Sequence, residues 1–360
     1  MNPQVTLANW RSAPFNRWAF QHVRELIPSA EIANDPRRVR EFESRPRELE
    51  LAQFLAETDT DALVILHRGR LVAEHYANAM TYETPHILMS VSKSMMGLLF
   101  GQLNIEPERP VLDVLPELKS TAYKDATIRH LLDMRTGVAF EEDYLATSGT
   151  IVEYRKATGW NPLGPGDAPG DLHSFYQVLT ERDGPHGGRF HYISTNSDLL
   201  GWVIERATGR RYADLMSELL WKPIGAERSA YITVDRFGAP RCAGGMCVTA
   251  RDLARVGQWM IEHPSPWIDD IERNGERPAW DAGSFVAYFP GMPIHYRSQW
   301  YVLHGAAPLI FAVGIHGQNL FIDRRNELVI AKLSSQAMPL DAARIALTMR
   351  AVSQLRKYLS

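Results

Sequence analysis

His86-Ile87-Leu88-Met89-Ser90-Val91-Ser92-Lys93-Ser94-Met95-Met96-Gly97 is the stretch on which the reading of this chain turns. Its apolar neighbours, with Leu98, Leu99 and Phe100 following, predict a helix over residues 90–104 lying at the centre of the molecule. Ser90 and Lys93 stand at i, i+3, so both side chains share one helix face. A lysine so placed can take the serine's proton once burial lowers its pKa from the free value of about 10.4. A helix beginning at the serine also turns unpaired backbone N–H groups toward developing negative charge. The chain has twenty serines and seven lysines in 360 residues, and random placement predicts about 0.4 Ser-x-x-Lys matches. This is the only one. The competing structural reading is a buried helix with a lysine at the surface.

Outward from that helix, Ala62–His67 and Arg70–Tyr76, joined at Arg68-Gly69, read as a β-hairpin. Residues 14–27 and 47–57 read as helices, 111–118 as a connector, 128–134 as a helix ending before Gly137, and 159–171 as a Gly/Pro-rich loop. Helical patterns follow at 171–182, 197–206, 212–220 and 250–263. An irregular Pro/Trp-rich region runs to about 296, then β-like runs at 299–304, 309–316, 318–323 and 327–333, and a final helix at 340–358. Strands near residue 65 and again near the C-terminus join one sheet only if the middle is an insertion. The expected fold is therefore α+β, a split domain with an antiparallel sheet flanked by helices plus an α-rich inserted domain. Residues 1–85 and 226–360 would form the first, and 86–225 the second, carrying the nucleophile helix.

Composition narrows the function. Charged residues are 22% of the chain, hydrophobic residues 45%, and the net charge is −3. No basic patch for nucleic acid and no run of 18 apolar residues is read. Met1-Asn2-Pro3-Gln4-Val5-Thr6 shows no export signal, so a cytoplasmic location is expected. Cys242 and Cys247 fit no metal spacing and read as two buried thiols. No metal and no cofactor is expected.

Two further stretches carry chemistry. Gly184-Pro185-His186-Gly187-Gly188-Arg189-Phe190-His191-Tyr192-Ile193-Ser194-Thr195-Asn196-Ser197-Asp198 is a glycine-rich turn, a tyrosine in a polar loop, then a helix. A phenol near an ammonium is drawn toward phenolate and can relay a proton to a leaving group. The plainer reading of Tyr192 is an anchored turn residue. Phe311-Ala312-Val313-Gly314-Ile315-His316-Gly317-Gln318-Asn319-Leu320-Phe321-Ile322-Asp323 reads as a strand weakened by two glycines, as where something approaches the backbone closely. An N–H here could join that of Ser90 in an oxyanion hole. A bulge or barrel-like bend, with His316 simply packed, is the alternative.

These three elements in this order resemble the serine β-lactamase-like family of class C β-lactamases, DD-peptidases and related esterases, and most nearly its 6-aminohexanoate-dimer hydrolases. Asn16–Phe20, Glu142-Asp143-Tyr144, Ile128–Gly137, Trp221–Gly225 and Ala250–Gly257 extend the likeness over nearly the whole chain. The resemblance implies that Ser90 is the acylated nucleophile, Lys93 its base and Tyr192 the third catalytic residue, and that the Ile315 N–H completes the oxyanion hole with that of Ser90. It implies substrate contacts from Tyr144 and Trp160, with Ser194, Gly314 and His316 beside them.

The departures are equally specific. Tyr192-Ile193-Ser194 has serine where β-lactamases have asparagine, and Ala312-Val313-Gly314 lacks their Lys/Thr pair. A β-lactam's polar groups would go unpaired there. Ala243 stands where nylon-oligomer hydrolases have asparagine, and Arg155 where they have an acidic residue. The expected function is a cofactor-free serine hydrolase of small esters or linear amides. A DD-peptidase or β-lactamase is one alternative, and a binding protein that keeps the fold without turnover is another. The expected partner is the small substrate, with no nucleic acid or membrane, and a homodimer is implied only by analogy.

Overall fold

In the computed structural model, which describes residues 4–359, the hairpin strand at Thr60–His67 is buried from Thr60 to Leu66, so both of its faces are covered. Residues 1–3, part of the N-terminal stretch read for an export signal, and residue 360 lie outside the described residues. The strands are β1 (Ser29–Ile32), β2 (Glu43–Ser44), β3 (Thr60–His67), β4 (Arg70–Tyr76), β5 (His86–Ile87), β6 (Ala230–Thr233), β7 (Met246–Val248), β8 (Ile294–Arg297), β9 (Trp300–Leu303), β10 (Leu309–Gly314), β11 (Gln318–Asp323) and β12 (Leu328–Ser334). Eight of them form one sheet, ordered β2-β4-β3-β12-β11-β10-β9-β8. At its centre β3 pairs antiparallel with β12, Ile65 opposite Ile330, which joins chain segments from opposite ends of the sequence.

Alternation along β3 sends its side chains to two cores. Ala62, Val64 and Leu66 pack with Val329, Ala331 and the helix Ala250–Glu262. Leu63 and Ile65 pack with Phe321, Ile330 and the helix Ala342–Leu359. Each buried aliphatic side chain contributes about 1.5–3 kcal/mol, so register along β3 and β12 is strongly set. The architecture is α+β.

The Ser-x-x-Lys helix, Val91–Phe100, is buried at all ten positions. It packs against β9, β10 and β11 and against the helices Ser194–Thr208 and Tyr212–Met216. Gly97 permits this closeness: a Cβ there would lie 2.2 Å from the Ser298 carbonyl oxygen. A second sheet, ordered β1-β6-β7-β5, leads directly into that helix. The Leu88 N–H donates to the Met246 carbonyl at 2.8 Å, and the Met246 N–H to Ser92 Oγ at 3.1 Å. Between strand and helix, Met89 takes a left-handed φ of 46°. Such a conformation costs about 1–3 kcal/mol in a side-chain-bearing residue, and here it turns the chain so that Ser90 sits at the N-cap.

Several elements differ from expectation. The helix expected at 14–27 is only Asn16–Ala19, followed by a 3₁₀ turn at Val23–Glu25. Asn16 is pulled into tertiary bonds instead, its amide donating to the Ser335 and Gln336 carbonyls at 3.1 Å each. The pattern at 171–182 yields one helical turn, Leu172–Phe175, and a 3₁₀ turn. The small sheet has no counterpart in the sequence reading, because strands of two to four wholly or partly buried residues carry no period. The helices Thr150–Ala157, Pro266–Arg273 and Arg277–Asp281 were likewise unexpected. The stretch 311–323 is a hairpin, with a tight turn at Ile315–Gly317 between β10 and β11. No helix among the described residues is long and apolar enough to cross a membrane.

Candidate active site

Ser90 begins the Ser-x-x-Lys helix, and Lys93 lies one turn on with 1% of its surface exposed. The Lys93 amine reaches Ser90 Oγ at 3.0 Å, Ser194 Oγ at 3.0 Å and the Ala243 carbonyl at 2.7 Å. Burial lowers its pKa to about 7; Glu142 opposes that shift and Arg241 adds to it. In the neutral amine, two N–H bonds can serve Ala243 and Ser194 while the lone pair meets the Ser90 hydroxyl. A lysine left at 10.5 would be neutral in about one molecule in 3,000 at pH 7, against about half here.

Tyr192 lies two residues before the helix Ser194–Thr208. The Lys93 amine stands 4.9 Å from the centre of its ring, so the cation faces the π cloud. The amine thus meets the ring of Tyr192, while its hydrogen bonds go to Ser90, Ser194 and Ala243. Burial, then the Glu142 charge, pushes the phenol's pKa up, while the Ser90 hydroxyl pulls it down. The expected drift toward phenolate is thus reversed, because desolvation and the Glu142 charge outweigh the Ser90 hydrogen bond and the Arg241 cation. Tyr192 is a neutral phenol beside Ser90, its ring stacked on Phe285 at 5.0 Å.

Ser194 is more than a replacement for asparagine. Its hydroxyl accepts from Lys93 and donates to Glu142, and its backbone N–H donates to the same carboxylate. A chain Lys93–Ser194–Glu142 therefore runs behind Ser90. Glu142 went unrecognised in the sequence, although it opens the Glu142-Asp143-Tyr144 segment quoted for its tyrosine. Asp198 is a second such residue. It accepts the Ala243 N–H at 2.7 Å and also bonds Arg241 and the Tyr154 hydroxyl, which fixes the carbonyl that holds Lys93.

Gly314 ends β10 flush against Ser90. A Cβ there would lie 3.1 Å from Ser90 N and 2.6 Å from the Leu88 carbonyl oxygen. The turn that follows has His316 at φ 63° and Gly317 at φ 91°. Among the described residues, no protein acceptor takes the Ser90 or the Ile315 amide. The His316 Nδ1–H donates to the Gln336 carbonyl, 2.7 Å away, and the ring packs edge-on to Phe20. Burial holds its imidazole down to about 4.

Ser90, Tyr144, Trp160, Ser194, Arg241 and Ile315 share the walls of a cavity of about 410 Å³. Tyr144 is half-buried there, its phenol raised by burial and then by Glu142. Trp160 is anchored through its indole N–H to Thr233 Oγ1 at 3.1 Å. An adjoining basin of about 1360 Å³ shares Tyr144 and Ile315 and takes in His316. Of the residues expected to meet substrate, His316 alone lies only in this outer basin, and Gly314 acts by its lack of a side chain. Cys242 and Cys247 are buried free thiols, away from these walls.

A β-lactamase family model matches residues 51–353. The 6-aminohexanoate-dimer hydrolase of Paenarthrobacter ureafaciens is 36% identical over 355 residues, covering 93% of this chain and 89% of that protein. A Bacillus anthracis structure described as a candidate 6-aminohexanoate-dimer hydrolase superposes with a TM-score of 0.88 at 27% identity, covering 99% of this chain and 97% of that one. The D-stereospecific amidohydrolase from Streptomyces sp. shares the fold at a TM-score of 0.61 and 17% identity, over 83% of this chain and 98% of its own. With a match of this extent and a Ser-x-x-Lys pair, its lysine buried, at the head of the central helix, the chain belongs to the β-lactamase family of serine hydrolases.

Proposed function

We propose that the protein cleaves small carboxylic esters or linear amides through an acyl-enzyme on Ser90. The observation that carries this reading is the Lys93 amine, held 3.0 Å from Ser90 Oγ with its pKa lowered to about 7 by burial. The neutral amine takes the Ser90 proton as Oγ attacks the substrate carbonyl. The Ser90 and Ile315 N–H groups receive the oxyanion, each worth about 3–4 kcal/mol of barrier. Tyr192, a neutral phenol beside Ser90, donates its proton to the leaving group; the phenolate then takes a proton from the attacking water, and the Lys93 ammonium returns its proton to Ser90 Oγ. This water attacks the acyl carbon, and the acid leaves with Ser90 restored.

Tyr144, Trp160 and Ser194 would position the substrate. Esters react faster than amides in this scheme, since an alkoxide needs less protonation to depart than an amine. The test is labelling with a serine-directed fluorophosphonate followed by peptide mass analysis. The expected result is one adduct on the Ser90 peptide, absent in Ser90→Ala. An unlabelled Ser90 peptide alongside ester turnover would overturn the assignment. Turnover of nitrocefin at rates matching simple esters would move the reading to a β-lactamase.

A further inference from the structure

The walls of the site are charged in one sense. Arg11, Arg155 and Arg241 line the inner cavity against one carboxylate, Glu142. That carboxylate is occupied by the Ser194 amide and hydroxyl, and Arg241 is paired with Asp198. The outer basin is lined by Arg11, Arg155 and Lys156 and by no acidic residue. Lys156 is neutralised by Glu153 at 2.9 Å and Asp167 at 2.8 Å.

Arg11 and Arg155 are left without a carboxylate partner among the described residues. Arg155 donates to two backbone carbonyls, of Ala146 at 3.1 Å and Asp143 at 2.9 Å. Arg11 donates to the Asn161 side-chain oxygen, and its Nε is buried with no partner. Its guanidinium lies 5.5 Å from the Trp10 ring and 5.9 Å from the Trp160 ring. Burial lowers its pKa to about 9, with Arg155 and Arg241 adding to the shift, so the cations repel one another and still remain charged at neutral pH. Two guanidiniums face one basin, and Glu142 and Asp143 act on Arg155 without pairing with it, so the site favours a carboxylate, which the N–H donors not already bonded can receive.

We infer that the substrate carries a carboxylate on the part that extends from the scissile carbonyl into the basin, where Arg11 and Arg155 receive it. This rests on the hydrolase reading above and narrows it to anionic esters and amides. An ammonium-ended substrate meets repulsion in the same place. The bound carboxylate supplies the charge that the basin walls lack, which favours anionic ligands over neutral ones of the same length.

The test compares three p-nitrophenyl esters of matched length: the hemi-adipate (anionic), its methyl ester (neutral) and the 6-aminohexanoate (cationic). The expected order of kcat/KM is anionic, neutral, cationic, with about tenfold between the first two. Arg155→Gln should shrink that anionic-to-neutral ratio several-fold, as should 0.5 M salt. Arg155 also braces the 143–146 backbone, so Arg11→Gln serves as the second variant with the same expected result. Adipate binding to Ser90→Ala, measured by calorimetry, gives a readout without turnover and should weaken in each arginine variant. Neutral esters cleaved through Ser90 with no anionic advantage, or a cationic preference, would sink this inference and leave the hydrolase standing. Absence of any ester turnover would sink the hydrolase reading, while failure of adipate to bind would independently sink this one.

Discussion

Glu142→Gln tests how the carboxylate behind Ser194 sets the working pH of Lys93. In the wild type, the Glu142 charge favours the protonated amine and burial opposes it, leaving the amine near 7. Activity that needs the neutral amine therefore falls as pH drops through about 7. The 3.0 Å step from Lys93 to Ser194, with one more hydrogen bond, puts the carboxylate about 5 Å from the amine, where a unit charge is worth about 3 kcal/mol at an effective dielectric of about 20. The opening to solvent screens this to about 1–2 kcal/mol, or roughly one pH unit. Removing the charge makes the amine easier to deprotonate, so the sign is fixed. The acid limb of kcat/KM for p-nitrophenyl butyrate should move from near pH 7 to near pH 6. Glutamine loses one acceptor toward Ser194, so the plateau should fall as well, but a fall alone does not move a midpoint. A limb that stays in place, or shifts upward, would refute the electrostatic coupling.

Other changes probe the remaining parts. Ser90→Ala should lower kcat at least about 10⁴-fold while urea denaturation shows stability within about 1 kcal/mol of wild type, since its hydroxyl contacts are few. Gly314→Val puts side-chain atoms against Ser90 N and the Leu88 carbonyl. It should cost about 1–3 kcal/mol of stability and about 10²-fold in kcat by displacing an oxyanion donor, both read from purified variant. Asp198→Ala strands the buried Arg241 charge and should destabilise by about 3–5 kcal/mol in thermal or urea melts. Asp198→Asn, which keeps an acceptor for the Ala243 amide, should lose less.

Long periodic segments were legible in the sequence. The Ser-x-x-Lys helix and the β3–β4 hairpin carry enough apolar residues to show; the hairpin forms as read, and the helix forms over Val91–Phe100 of the 90–104 expected. The joining of β3 to β12 followed from topology, because strands at the two chain ends must meet for either to be buried. The small sheet did not show, since His86-Ile87 is too short to alternate. Yet this pair, with the strained Met89, aims Ser90.

At the site, chemistry with a fixed local spacing could be read, and chemistry assembled across the fold could not. Ser90 and Lys93 belong to one turn of helix. Glu142 and Asp198 reach Lys93 through Ser194 and Ala243, links that no spacing reveals. Tyr192 stood out in the sequence and lies beside Ser90, but its protonation state depends on desolvation that only packing discloses. Arg155 stood out as a departure, and only its placement beside Arg11 gave the departure a meaning.

The account rests on an amine beside Ser90 that gives up its proton near neutrality. The direct measurement is an NMR titration of Lys93 in ¹³C-lysine-labelled protein, assigned by comparison with Lys93→Arg. The expected midpoint is near 7. A midpoint near 10, the value of a solvated lysine, would contradict it.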